Sequence, residues 1–173
     1  DPQNQIDEIG GLIIDSKGSI KAVGKSVSVD NLSSDVEKID LKNKTLIPGI
    51  VDMRVFVGEP GFEYKENFRT LSNAALSGGV TSVVSMPNTS PVIDNVSMVD
   101  FLKRRGRDKS RINIFPAASL TKNTDGKQMT EFGLLTRKGI IAFTDGIKCV
   151  QDPQLMSRIM NFASQSNSLI IQH

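Results

Sequence analysis

The stretch "VDMRVFVGEPG", residues 51–61, sets Arg54 and Phe56 two positions apart on an apolar run that ends in a Gly/Pro loop. Two-residue spacing puts both side chains on one face of a strand. A guanidinium in such a place can pair with a carboxylate, and a ring can stack. Later apolar runs also end in polar groups. Glu59 follows the first, and "MPNTSPVID" brings Asn88, Thr89 and Asp94. "PAASLTKN" brings Lys122, "FTDGIKC" brings Asp145 and Lys148, and "IIQH" brings His173. Together these groups have the chemistry to bind a small polar molecule. They do not by themselves make a zinc site, which takes three or four N, S or O ligands, because His173 is the only histidine. No Ser-His-Asp set is visible, and nothing marks Cys149 as a reactive thiolate.

The elements that must position these residues fall into two parts. Residues 1–47 read as a small β-domain. "GLIID", "SKGS" and "IKAVGK" make strand, turn and strand, and "VEKIDLKNKTLIPG" adds an extended segment, as in a small sandwich. Residues 48–173 alternate strand and helix. "IVDMRVFV", "VTSVVSM", "INIFPAAS", "IIAFTD" and "SLIIQH" are the predicted strands. Between the first two, "YKENFRTLSNAALSGG" places Tyr64, Phe68, Leu71 and Ala75 on one helical face. "NVSMVDFLKRRG" carries Lys103, Arg104 and Arg105 in what reads as its last turn, and "KQMTEFGLLTRKG" aligns Met129, Phe132 and Leu135. The last helix opens with Asp152 as N-cap and Pro153 at its first position. This order predicts an α/β fold with a parallel sheet, either a (β/α)8 barrel through its fifth strand or a doubly wound sheet. In both, ligands bind at the carboxyl ends of the strands. No G-x-G-x-x-G follows the first strand, which weakens a dinucleotide reading.

The totals set bounds. The chain has 173 residues, is 38% hydrophobic and 23% charged, and carries a formal net charge of +2. That charge gives no ground for nucleic acid as a partner, and no apolar run approaches the roughly 20 residues that cross a bilayer. A single cysteine fits a reducing, cytoplasmic setting. The chain opens at Asp1, close to a strand, and stops at His173 directly after "LII", so it reads as a fragment of a longer protein.

"LIPGIVDM", then "GEPGFEYKENFRTLSNAALSGGVTSVVSMPNTSPVID", closely resembles the dihydroorotase branch of the amidohydrolase superfamily. "EPG-x-E-x-K", "MPNT-x-PVID" and "AFTD" occur in the family's order, and the likeness covers nearly the whole chain. It implies the first five strands of a TIM-like (β/α)8 amidohydrolase barrel preceded by a small β-sandwich-like domain. It implies a zinc enzyme of pyrimidine synthesis that interconverts carbamoyl-aspartate and dihydroorotate, in a full chain more than twice this long. The resemblance also places ligands. The family's first strand ends in His-x-His, followed two residues later by an arginine. The corresponding positions here are Arg54, Phe56 and Gly58. Asn88 matches a substrate-contacting asparagine, Asp145 a metal-binding aspartate and His173 the fifth-strand histidine ligand, while a usual second aspartate is replaced by Gly146.

An arginine stays protonated and repels a divalent cation, a phenylalanine offers no lone pair, and a glycine cannot pair with a substrate carboxylate. The expectation is therefore a degenerate metal site, no bound cofactor and no activity, with Arg54 set against Asp145 and Phe56 filling the vacated volume. Some members of the branch lack metal ligands and serve as structural partners of aspartate transcarbamoylase, which implies that role and an oligomeric assembly here. Two alternatives stay open: an active cyclic amidohydrolase with an altered centre, and a small-molecule binding module using Asn88 and Arg54.

Overall fold

The computed structural model describes residues 1–172, apart from the side chain of Asn31. The chain forms two compact units, Asp1–Pro48 and Gly49–His173.

In the first unit, strand β1 (Gly11–Ile14) pairs antiparallel with β2 (Ile20–Gly24). The turn between them is held by Asp15, whose carboxylate accepts from the Lys17 and Ser19 backbone N–H groups at 2.8 and 2.9 Å. This is the Asx-type turn that lets a short polar side chain replace backbone pairing. The further extended segment expected after it does not form a strand. Lys42 and Asn43 sit at φ 49° and 64°, a left-handed conformation that breaks strand geometry. Val36, Ile39, Leu41, Leu46 and Ile47 are all exposed, so no buried face selects an alternating register. The unit therefore holds one two-stranded sheet among its described residues, in place of the predicted small sandwich.

The second unit is mixed α/β. Strands β3 (Ile50–Val55), β4 (Val80–Ser85) and β5 (Asn113–Pro116) run parallel in the order β3-β4-β5. Helices α1 (Phe68–Ser77) and α2 (Val96–Lys109) connect them. Helix α3 (Phe132–Arg137), strand β6 (Ala142–Phe143), helix α4 (Pro153–Ser166) and strand β7 (Leu169–Ile170) follow, with β6 parallel to β7. A parallel bridge between Ala118 and Phe143 joins the two sheets, through Ala118 N–H to Ala142 O at 3.0 Å and Thr144 N–H to Ala118 O at 2.9 Å. Strand order thus follows chain order, and among the described residues the sheet does not close into a barrel.

The period of two along each strand divides the core. Val83, Ala118 and Phe143 pack with Phe68, Leu102, Leu135 and Ile159 from the helices. Val84, Met86, Ala117 and Ala142, with Ile171 against them, form a smaller cluster. Phe132 stacks on Phe143 with ring centroids 4.0 Å apart and planes 15° from parallel.

Three helix boundaries differ from the predicted ones. Helix α1 starts at Phe68 because Asn67 accepts from the Arg69 and Thr70 N–H groups while Thr70 Oγ1 accepts from Asn67 N–H, a capping box that leaves Tyr64 outside and 79% exposed. Helix α2 continues through Gly106, which packs on Ile114 of β5, so its last turn carries Arg107 and Lys109 and not Lys103 to Arg105. Helix α3 begins only at Phe132, since Met129 is drawn into a bridge with Thr121. The Asp152 cap of α4 is present, accepting from Gln154 N–H at 2.8 Å.

Phe143 has no exposed surface and fills the space between strand β6 and helix α3. Phe143→Ala should therefore lower unfolding free energy by about 3–5 kcal/mol in urea titration of the full-length protein. A loss under about 1 kcal/mol would mean that the ring is not a core element.

Candidate functional site

The strand ends gather the predicted polar residues, but most of them bind groups of the surrounding loops and helices. Asp145 follows β6 and is 1% exposed. Its Oδ1 accepts from the Thr121 backbone N–H at 3.0 Å and its Oδ2 from Thr121 Oγ1 at 2.6 Å. Thr121 Oγ1 in turn accepts from Gly126 N–H at 2.9 Å. The loop after β5 is thereby folded around this carboxylate. Asp94 accepts from Asn123 N–H at 3.0 Å and from Asn95 Nδ2 at 2.8 Å. Lys148 Nζ donates to Thr124 O at 3.0 Å. Thr89 is buried and donates to Pro91 O at 2.7 Å. Asn88 is half-buried and donates through Nδ2 to Asp145 O at 3.1 Å. Lys122 heads a short 3-10 turn, Lys122–Thr124, and its backbone N–H donates to Gln128 O at 2.8 Å. A cavity of about 160 Å³ opens beside this cluster, lined by Thr124, Asp125, Asp145, Lys148 and Cys149 among others.

The first strand end is built differently. Arg54 lies in β3, exposed, with its backbone N–H on Asp52 Oδ1 at 3.0 Å. Phe56 is 43% exposed and its ring centroid lies 6.1 Å from that of Phe62, which lies 6.5 Å from Tyr64; the Lys65 ammonium sits over Phe62 and Tyr64. Gly58 takes φ 74°, and a Cβ there would lie 2.8 Å from Glu66 O and 2.9 Å from Phe62 O. The 58–66 loop thus closes over the position where the resemblance expects an arginine. The exposed Glu63 carboxylate is held below the usual range by its own backbone N–H and that of Gly61.

Sequence reasoning listed Glu59 only as a polar strand-end group and missed its task. Glu59 is 2% exposed. Its Oε1 accepts from Arg105 Nε at 2.6 Å and pairs with the other guanidinium arm at 2.6 Å, while Oε2 accepts from Phe68 N–H at 3.1 Å. One carboxylate thus caps the start of α1 and pins α2, where a negative charge is also favoured by the helix dipole. Thr121 went unnoticed as well. The signal available was indirect: an aspartate directly after a buried apolar run needs donors from another strand end. His173 lies outside the described residues.

Comparison with known proteins adds the family. Residues 43–173 match the family described as dihydro-orotase-like. The chain belongs to that family. A dihydroorotase of Syntrophus aciditrophicus is 38% identical over 173 residues, all of this chain and 40% of the relative. A dihydroorotase of Caldicellulosiruptor saccharolyticus is 34% identical over 170 residues, 98% of this chain and 39% of the relative. The chain therefore spans about 40% of the length of these curated relatives. Among solved structures, L-hydantoinase (dihydropyrimidinase) from Arthrobacter aurescens superposes with TM-score 0.63 at 18% identity, over 73% of this chain and 29% of that one. This likeness is one of fold.

Among the described residues of this dihydroorotase-like chain, no group of three His, Cys, Asp or Glu side chains could hold a metal ion. Both oxygens of Asp145 already accept from Thr121. Among the described residues, the buried side-chain polar atoms left without a partner are the hydroxyls of Ser85 and Ser119, which are poor zinc donors.

Glu59 and Arg105 form a pair with side-chain exposures of 3% and 38%. Arg105→Met leaves the buried carboxylate with one backbone donor. The cost should fall near or below the lower end of the roughly 3–5 kcal/mol seen when a fully buried pair is broken, because water screens the arginine side. Urea unfolding of the full-length variant measures it. A change below about 0.5 kcal/mol would class the contact with ordinary surface pairs.

Proposed function

We propose that this chain is the N-terminal part of a dihydroorotase-like protein of pyrimidine biosynthesis whose barrel has lost its metal chemistry and serves as a structural partner of aspartate transcarbamoylase. On this reading residues 48–173 supply the first five strands of a (β/α)8 barrel. The observation that carries it is the combination of Arg54 and Phe56 at the end of β3 with an Asp145 carboxylate bound on both oxygens by Thr121.

The chemistry supports the reading in three ways. Opening or closing a cyclic amide in this family calls for a metal-bound hydroxide and a polarised carbonyl. The cation must be held by groups with free lone pairs, and loss of even the hydrogen bonds behind such ligands costs about 10–100-fold in affinity. A guanidinium in a ligand's place adds repulsion, because it stays protonated at every working pH. What the β3 end keeps is an exposed aromatic set with cations beside it. Aromatic and arginine side chains are enriched where proteins meet other proteins.

A second reading is an active cyclic amidohydrolase with an altered centre. The names of the relatives favour it, since both relatives above are called dihydroorotases. Two measurements on the full-length protein separate the readings. The first is metal content together with ring opening of dihydroorotate; substoichiometric zinc and no turnover are expected. The second is light scattering after mixing with aspartate transcarbamoylase from the same source, where a stable complex is expected. One zinc per chain with measurable turnover would establish the second reading and overturn the first.

A further inference from the structure

A groove of about 430 Å³ lies between helices α3 and α4, on the helix-covered side of the sheet. Phe132 is buried beneath it, and Met129 beside it is half-buried against the core. Two large apolar side chains at its edge, Leu134 and Phe162, stand in solvent. Gly133 also lines it, and a Cβ there would have open space around it, so nothing in this chain covers that side of α3. The groove carries one charge of each sign. Glu131 directly precedes α3 and Arg137 ends it, about 9 Å apart along the helix axis. Both are exposed, and neither has an ion-pair partner among the described residues.

An exposed leucine alone needs no explanation. A hole, two apolar knobs and two opposite charges without partners in one patch do. A surface made for an unrelated protein needs only one half of each match. This patch carries both halves, as a two-fold axis requires, because the same patch must then face itself. The geometry points to the α3–α4 groove as a homodimer interface whose occupant is a second copy of this chain. Leu134 and Phe162 of each copy enter the groove of the other, and Glu131 of each copy meets Arg137 of the other. Aromatic side chains are enriched at the centres of such interfaces and carry a large share of their energy. The inference goes beyond the proposed function and does not depend on it, since Arg54, Phe56, Asn88 and Asp145 take no part in the groove.

The test is analytical ultracentrifugation of the full-length protein alone, over a range of concentrations. A dimer is expected for the wild type. Phe162→Asp should weaken it by more than about tenfold, since it removes an aromatic anchor and brings a charge into the contact. Glu131→Arg and Arg137→Glu should each weaken it as well, because each sets like charges against one another. The double variant Glu131→Arg/Arg137→Glu reverses both pairs and should regain most of the wild-type affinity. A wild type that stays monomeric throughout, or a dimer that Phe162→Asp leaves intact, would overturn the inference. So would a double variant no tighter than the two single ones, because the two residues then do not face each other. Zinc with turnover, or no complex with the transcarbamoylase, would refute the proposed function and leave this interface standing.

Discussion

A carboxylate removed from water must be met by donors or it does not stay charged and buried. In this protein that constraint is met at Asp145, and the arrangement of the strand ends depends on it. The carboxylate takes a backbone N–H and a hydroxyl from one residue, Thr121, at 3.0 and 2.6 Å. Hydrogen bonds to a charged group contribute about 1.5–3 kcal/mol each in proteins. Two of them are enough to hold a loop that would otherwise be free to face solvent. Thr121 passes the constraint on through its hydroxyl, which also receives Gly126 N–H. The loop's tight 3-10 turn at Lys122–Thr124, with Asn123 in a left-handed conformation, follows from closing this ring of bonds.

Glu59 obeys the same rule at the other end of the sheet. It too is buried directly after a strand, and it too is met by a backbone N–H and a side-chain donor, here Phe68 N–H and the Arg105 guanidinium. The result differs because the donors lie on helices. Glu59 locks α1 and α2 against the loop after β3, whereas Asp145 locks loop to loop. Between them the two carboxylates fix the loops after β3, β5 and β6, and Asn88 ties in the loop after β4. Both carboxylates accept from the protein's own groups: backbone N–H groups, the Thr121 hydroxyl and the Arg105 guanidinium.

What the sequence revealed and what it hid follow from the range of each interaction. The Asp152-Pro153 start of α4 was legible because cap and first turn are adjacent in the chain. The parallel α/β order was legible from apolar runs spaced by amphipathic ones. The start of α1 was misplaced although its capping box is also local, because the apolar periodicity running back to Tyr64 outweighed it. The sandwich expected of the first unit rested on loose alternation, which means little without a face to bury. The contacts that define the site were the hardest to see. Thr121 and Asp145 lie 24 residues apart, Asn88 and Asp145 57 apart, and Glu59 and Arg105 46 apart. No periodicity reports a pairing at that separation. Family likeness located Arg54, Phe56, Asn88 and Asp145 at the strand ends without saying which atoms they touch.

The two halves of the mouth therefore differ in kind. On the proposed reading the departure at β3 is chemical: Arg54 and Phe56 stand where the resemblance expects two histidines. At β6 the residue type at 145 still suits a metal, and only its surroundings do not. On the proposed reading an ion approaching Asp145 would compete with the two Thr121 donors that hold the loop after β5, one on each carboxylate oxygen. An exchange of side chains at 54 and 56 alone would leave that competition in place, and Asn88 ties the same point to the loop after β4.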